Sequence, residues 1–303
     1  MGMPTDLGII DLQLGFPFTS VEEKRATYDF FRPLLKDDQS ARDFEFPAEY
    51  LFKGVPDLVE PGTDVVAWVL EQMDRFGIAV AMSGLSPRSL EARRRHPDRF
   101  VLQLSVNPNE GMEAVRRISR AHEEHGIVSV MSFPCGQVPQ VNIDDPLMYP
   151  IYMRCVELDL PMCVNAGIVG PRMPSAPQQV MRLDRVCYDF PELTLVTMHG
   201  TEPWADLAVK LMLKWPGLHF MTSAFAPKHY PKAVVDYANT RGADKVMYCG
   251  YFPAGLTLER QFADLPQVPF RDHVWPKFLR ENALRVFGIE AATRTGSAGP
   301  SAA

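Results

Sequence analysis

Eight short apolar segments, separated by longer amphipathic ones, constrain the fold of this chain more than any other feature. They are Leu7–Leu14, Ile78–Met82, Phe100–Val106, Ile127–Phe133, Pro161–Asn165, Thr194–Met198, Leu218–Thr222 and Lys245–Cys249. Most are rich in Val, Ile, Leu and Met and show little polar alternation. This pattern is typical of strands that are buried on both faces of a parallel sheet.

The segments between these strands carry apolar residues at helical spacing. The predicted helices are Asp64–Phe76, Gly111–Glu124, Pro146–Leu158, Gln178–Tyr188, Trp204–Leu213, Lys232–Tyr237 and Pro276–Phe287. The last one opens on a proline and stops at Gly288, which are common start and stop signals. Strands that alternate with helices in this way predict an α/β fold, specifically a parallel (β/α)8 TIM barrel.

Two segments depart from the alternation. Residues 16–61 form a long, charged and aromatic insertion after the first strand, and residues 291–303 are mostly Ala, Gly, Ser and Thr. Loops at the carboxyl ends of barrel strands build the active-site mouth, so we expect residues 16–61 to act as a cap or lid. We expect residues 1–290 to form one barrel domain and residues 291–303 to be a disordered tail.

Composition and charge exclude several classes of partner. Apolar residues make up 46% of the chain, and the formal net charge is −6 without a long basic run, which argues against nucleic acid and membrane partners. No apolar run reaches the roughly 18 residues of a membrane span, and Met1–Asp6 lacks a signal-peptide pattern. The five cysteines form no CxxC pair, so we expect buried free thiols. These features predict a cytoplasmic protein without a nucleic-acid or membrane partner; its oligomeric state stays open, a homo-oligomer included.

The side chains expected at the strand ends are mostly neutral. In such barrels the catalytic groups lie at the carboxyl ends of the strands. Here these positions hold Gln13, Ser83, Asn107, Ser132, Asn165, His199, Ser223 and Tyr251. The set contains one imidazole and no carboxylate, so it does not supply three ligands for a divalent metal. We therefore expect no catalytic metal and no other cofactor.

Several motifs occur in a fixed order along the chain. They are Val141–Pro146, Tyr149–Tyr152, Leu160–Gly167, Phe190–Leu193, His199-Gly200, Thr240–Asp244 and Glu281–Gly288. In this order and spacing they resemble the amidohydrolase-related family that contains aminocarboxymuconate-semialdehyde decarboxylase and the resorcylate decarboxylases. The resemblance extends from Leu7 to about Ile289. It implies a TIM barrel with the hydrolase or carbon–carbon lyase chemistry of that family.

The same resemblance implies that this chain is a metal-ligand-depleted member. The family opens strand one with Asp-x-His-x-His, whereas this chain has Asp11–Gly15 with Gln13 and Gly15 at the histidine positions. The family's strand-five histidine falls on Asn165, and its strand-eight aspartate falls on Tyr251. Neutral amides bind Zn²⁺ poorly, and tyrosine is a rare ligand. Four ligand positions are therefore changed together.

His199 matches the strand-six histidine, which the resemblance implies is an acid/base in the decarboxylase branch. An imidazole with its ordinary pKa of about 6.5 exchanges protons near neutral pH, so His199 is the predicted catalytic residue. The alternative is a retained packing histidine. Cys249 and Glu202 are the next candidates for the chemistry.

Four residues are predicted to bind substrate. Gln13, Asn165 and Tyr251 are predicted donors that replace the electrostatic role of the metal, and the alternative is an inert polar pocket. Arg172, in the loop after strand five, is predicted to bind a substrate carboxylate, and the alternative is a solvated loop arginine.

Two functions stay open at the level of sequence. The first is a metal-independent hydrolase or carbon–carbon lyase of the decarboxylase-like kind. It would act on a small, activated, largely apolar carboxylate, lactone or thioester, with His199 as general acid/base. The second is a non-catalytic binding or scaffolding subunit with a decayed site, since fold alone does not determine function. A cavity beside His199 favours the first, and a His199 packed without a cavity favours the second.

Overall fold

The computed structural model describes residues 2–42, 46–52 and 54–290. Within them, eight parallel strands follow one another around one sheet in chain order. The strands are β1 Ile9–Asp11, β2 Ile78–Gly84, β3 Phe100–Ser105, β4 Ser129–Ser132, β5 Met162–Asn165, β6 Leu195–Met198, β7 Leu218–Met221 and β8 Val246–Met247. The predicted TIM barrel is confirmed. The predicted disordered tail, residues 291–303, lies outside the described residues.

Helices lie between the strands and in the insertion. They are α1 Val21–Tyr28, α2 Asp38–Arg42, α3 Val65–Arg75, α4 Pro87–Arg95, α5 Met112–His125, α6 Tyr149–Glu157, α7 Arg182–Asp189, α8 Ala205–Lys214, α9 Lys232–Ala238, α10 Leu258–Asp264 and α11 Asn282–Phe287. The seven predicted helices are present with shifted ends, and a π-helical turn, Lys277–Glu281, leads into α11. The apolar pattern misses α4 because its exposed face is rich in arginine, although Ser86 caps it and Pro87 starts it. None of the described helices is long and apolar enough to cross a membrane.

The seam between β1 and β8 closes just beyond the paired strand residues. Asp11 Oδ1 accepts the Gly250 N–H at 2.8 Å, and the Gly15 N–H donates to the Phe252 carbonyl at 2.9 Å. A side chain on Gly250 would collide with Asp11, so glycine allows this close approach. The two hydrogen bonds bring Gln13, just after β1, and Tyr251, after β8, to the same side of the barrel mouth.

The barrel interior is a packed core rather than a pore. Much of it consists of sulfur-containing side chains, namely Met82, Cys163, Met198, Met221, Met247 and Cys249. All five cysteines are free and buried, as predicted. Because these side chains fill the interior, a ligand can bind only above them, at the carboxyl ends of the strands.

The insertion, residues 16–61, packs against the mouth through aromatic side chains. Tyr28 at the end of α1 contacts Phe18 and Phe46, with ring centroids 6.1 and 5.3 Å apart. Phe31 contacts Phe133, which follows β4, at 5.6 Å. The described residues of this segment therefore lie over the carboxyl ends of the strands. That it opens and closes as a lid stays a prediction, as does the single-domain organisation of residues 1–290.

Candidate active site

A cavity of about 1260 Å³ lies at the carboxyl ends of the strands, between the barrel and the insertion. Its floor is polar and consists of Gln13, Asn165, His199 and Tyr251, which we call the floor set. Its roof is aromatic and comes from the insertion, with Tyr28, Phe30, Phe31, Phe46 and Phe52, which we call the cap set. A concave apolar pocket with a few convergent polar groups is the usual form of a small-molecule site.

The structure brings together four of the five predicted site residues, since the whole floor set lines one cavity. Arg172 is not among the residues that line it. Its guanidinium lies 3.2 Å from Asp37 and 4.7 Å from the centre of the Tyr50 ring. The side chain is thus bound to the insertion, and this placement argues against the predicted carboxylate clamp.

His199 is held by Ser223, which follows β7. The backbone N–H of His199 donates to Ser223 Oγ at 3.1 Å, and its ring Nδ1 lies 2.8 Å from the same oxygen. The ring also meets Tyr251 edge to face, with centroids 5.3 Å apart. These contacts fix the imidazole and leave Nε2 as the ring nitrogen available to a ligand.

The backbone around His199 has an unusual conformation. His199 has φ +64°, Gly200 +77° and Thr201 +58°, so three consecutive residues are left-handed. Residues other than glycine adopt this region rarely, and such positions cluster at functional sites. The sharp turn places the imidazole directly at the end of β6.

Burial lowers the pKa of the His199 imidazole to about 4, because loss of water destabilises the charged imidazolium. At neutral pH the ring is therefore uncharged and is able to accept a proton. This changes the expectation from sequence, in which the imidazole titrates near neutral pH and serves equally as acid and base.

The other polar groups of the floor are uncharged as well. Burial, and then the nearby Cys249, raises the pKa of the Tyr251 phenol, so it stays a proton donor in hydrogen bonds. Asn165 is buried, and its Oδ1 has no hydrogen-bond partner within the described residues. Burial also raises the pKa of the Cys249 thiol well above its usual value, which argues against a thiolate nucleophile there.

The donor set of the mouth does not fit a divalent metal. The four positions where the family resemblance places ligands hold Gln13, Gly15, Asn165 and Tyr251. Asp11, the carboxylate of the strand-one motif, uses Oδ1 to accept the N–H groups of Gln13 and Gly250, at 3.0 and 2.8 Å. Within the part of the chain that the structure describes, no three His, Cys, Asp or Glu side chains are grouped to hold an ion.

The predictions from sequence missed several residues of the cavity. Ser223 is among the predicted strand-end residues without a role, yet it holds His199. The cap set was missed altogether, because residues 16–61 show no periodicity that assigns side chains to a face. The high aromatic content of these residues is the sequence feature that could have indicated an apolar cavity wall. Lys228 and His229, after β7, also line the cavity.

Fold and site together define a class: a TIM barrel with an aromatic cap over a neutral polar floor that contains one histidine. The chain belongs to the amidohydrolase family, whose model matches residues 46–289, more than half of the chain. The family predicted from the sequence motifs is confirmed. No curated protein sequence matches the chain.

Solved structures share the fold over nearly the whole chain. An uncharacterised TIM-barrel protein from Bordetella bronchiseptica is 20% identical, with a TM-score of 0.69 over 93% of this chain and 98% of that one. The 5-carboxyvanillate decarboxylase of Novosphingobium aromaticivorans, solved with manganese and 4-hydroxy-3-methoxy-5-nitrobenzoic acid, is 16% identical, with a TM-score of 0.63 over 94% and 97%. The 2,6-dihydroxybenzoate decarboxylase from Rhizobium is 15% identical, with a TM-score of 0.64 over 93% and 99%. At these identities the likeness shows the fold.

Proposed function

We propose that the chain is an enzyme of the hydrolase or carbon–carbon lyase kind that acts on a small, ring-bearing carboxylate, lactone or thioester without a catalytic metal. One observation carries this proposal: Gln13, Asn165, His199 and Tyr251 converge on one cavity. A non-catalytic barrel is expected to pack side chains over its histidine, whereas His199 borders open space.

The chemistry uses a neutral base and neutral donors. For hydrolysis, His199 Nε2 takes a proton from water while the water oxygen attacks the acyl carbon. The oxyanion that forms accepts hydrogen bonds from the amide N–H groups of Asn165 and Gln13 or from the Tyr251 hydroxyl. The imidazolium then returns the proton to the leaving oxygen or sulfur as the acyl bond breaks.

Decarboxylation makes a different demand on the same residues. The ring carbon that loses carbon dioxide must gain a proton, and a neutral imidazole, whose protonated form has a pKa of about 4, is a poor source of one at neutral pH. The other proton donor in the floor set is the Tyr251 hydroxyl, and burial, which raises its pKa, makes it a poor acid as well. The neutral state of His199 therefore favours hydrolysis of an activated acyl group over decarboxylation, and both remain within the proposed class.

The aromatic cap supports a ring-bearing substrate. Phe30, Phe31, Phe46 and Phe52 present apolar faces to the cavity, on which an aromatic or alicyclic ring can stack. Two of the solved structures with the same fold are decarboxylases of hydroxylated benzoates. The aromatic cap and these two structures make aromatic acids and their lactones or thioesters the first compounds to test.

The test is a substrate panel with a matched variant. Hydroxybenzoates, aryl lactones and aryl thioesters are incubated with wild-type protein and with His199→Gln, and products are followed by mass spectrometry. We expect turnover of at least one activated acyl compound by the wild type only. Equal rates for both proteins would show that a residue other than His199 carries the chemical step, and Glu202 would be the next candidate. No turnover and no binding across the panel would support the scaffolding alternative.

A further inference from the structure

An arc of aromatic rings joins the cap to the catalytic histidine. Successive ring centroids are 5.3 Å apart for Tyr28 and Phe46, 5.5 Å for Phe46 and Phe52, 5.8 Å for Phe52 and Tyr251, and 5.3 Å for Tyr251 and His199. All five rings line the same cavity. The arc therefore places two phenols, one from the insertion and one from the barrel, around one space.

The two phenols lie close enough to influence each other. Burial is the main cause of the raised pKa of Tyr28, and the nearby Tyr251 is the second. Burial likewise raises the pKa of Tyr251. Each hydroxyl therefore keeps its proton and is able to donate a hydrogen bond.

Neither hydroxyl donates to another group among the described residues. Within residues 2–42, 46–52 and 54–290, no hydrogen bond involves the hydroxyl of Tyr28 or of Tyr251. Tyr50, another tyrosine of the insertion, differs in this respect, because its hydroxyl donates to the Gly170 carbonyl at 2.6 Å. Two uncommitted donors in a largely apolar cavity are suited to an acceptor that carries negative charge, since such hydrogen bonds are the strong ones.

We infer that Tyr28 and Tyr251 form a phenol clamp that binds an oxygen anion conjugated to a ring or carbonyl, such as a phenolate, an enolate or an acyl oxyanion. The insertion then supplies a binding group to the site and does more than cover it. This inference rests on the proposed function and deepens it, because it names the substrate group that the cavity recognises. In the absence of metal ligands, two donors at fixed positions stabilise the charge that develops on oxygen.

The experiment is a spectrophotometric titration of para-nitrophenol with the full-length protein, which needs no turnover. The phenolate form absorbs at longer wavelength than the phenol, so the spectrum reports which form is bound. We expect the wild type to bind the phenolate in preference to the phenol and to para-nitroanisole, which cannot ionise. Tyr28→Phe and Tyr251→Phe should each weaken phenolate binding by about 10- to 100-fold, the effect of one hydrogen bond to a charged group.

Controls separate the clamp from its surroundings. Tyr188→Phe removes an exposed hydroxyl on the outer helices and should leave phenolate affinity unchanged. Para-nitroanisole should bind wild type and both cavity variants alike, which shows that the cavity is intact. The clamp is wrong if Tyr28→Phe binds the phenolate as tightly as the wild type, or if the wild type does not prefer the phenolate.

The titration also separates the clamp from the enzymatic proposal. Phenolate binding that depends on both tyrosines, without turnover of any panel compound, would overturn the proposed function and leave the clamp standing. Turnover that depends on His199, with phenolate affinity indifferent to Tyr28, would overturn the clamp alone.

Discussion

The floor and the cap of the cavity are built by different means. The floor set lies at or just beyond the ends of four strands, β1, β5, β6 and β8, and hydrogen bonds to Ser223 hold His199 there. The cap set comes from one irregular insertion, whose rings contact one another at 4.1 to 5.5 Å and touch the barrel at Phe133 and Tyr251. The strands therefore position the polar side chains of the cavity, whereas the insertion supplies its apolar surface.

This contrast predicts a division of effects. Changes on the floor should alter the rate of the chemical step, because polar groups there act on the reacting atoms. Changes in the cap should alter mainly affinity, except that loss of the Tyr28 hydroxyl should also slow the chemical step, because the phenol clamp stabilises the charge that develops on oxygen. Changes in the barrel beneath the floor should alter stability.

The largest effect is expected for His199→Gln. Loss of the general base should lower turnover by about 10²–10⁴-fold while the protein stays folded. Asn165→Ala removes one oxyanion donor and should cost about 10²–10³-fold at most. Single-turnover rates on a substrate from the panel measure both, and His96→Gln, on the outer ring, is the matched control. A larger loss for Asn165→Ala than for His199→Gln would reverse the assigned roles.

Asp11→Asn tests the barrel beneath the floor. Burial raises the pKa of this carboxyl from 3.8 to about 6. The ionised carboxyl therefore lowers the stability of the folded state, and this loss is complete above about pH 6 and absent below about pH 3.8. The asparagine keeps an oxygen for the Gln13 and Gly250 N–H groups. We expect the variant to gain up to about 3 kcal/mol over wild type near pH 8 and to lose that advantage near pH 4.

Urea unfolding at the two pH values measures this difference. A gain that is independent of pH would show that the carboxyl is not the cause. Turnover should change far less than for His199→Gln, because Asp11 does not line the cavity.

The pH profile tests the state of the floor itself. Because the folded pKa of His199 is lowered to about 4, the neutral base is present above that value and is lost as the pH falls through it. We expect kcat/KM to stay flat through neutral pH and to fall about tenfold per pH unit below about 4. Circular dichroism at each pH checks that the protein remains folded. An inflection near 6.5 would show that the imidazole is solvated.

A smaller effect is expected for Gly255→Ala. A Cβ at Gly255 would come within 2.6 Å of the Phe52 ring, so this ring must shift away from its stacked position on Tyr251. We expect KM to rise several-fold, because the ring that faces the substrate is displaced, while kcat changes less; overpacking of this kind also lowers stability by about 1–3 kcal/mol. A fall in kcat without a change in KM would show that the cap acts on the chemical step.

Metal removal should have no effect. Neutral amides, a glycine and a phenol stand at the family's ligand positions, so purified protein should hold less than about one-tenth equivalent of Zn, Mn, Fe or Co. Elemental analysis and activity after dialysis against a chelator check this. About one equivalent of metal, with activity lost on chelation and restored by the ion, would contradict it.

The sequence by itself determined the barrel and the residues of its floor set. Strands buried on both faces are continuous apolar runs, and the residue that ends such a run must lie at the mouth. This is why Gln13, Asn165, His199 and Tyr251 could be named before their positions were known. The changes at the metal-ligand positions were equally visible, because they depend on residue type alone.

Only the tertiary structure decided which side chains of the cap line the cavity, whether His199 is charged, and which groups Arg172 contacts. Tyr28 and Phe52 belong to a segment without periodicity, and their place in the cavity depends on contacts with residues distant in the chain. The pKa of His199 depends on how much water surrounds the ring, and the position of Arg172 depends on Asp37 and Tyr50. Burial and contacts between distant residues are properties of the packed chain, so a local pattern of residues does not contain them.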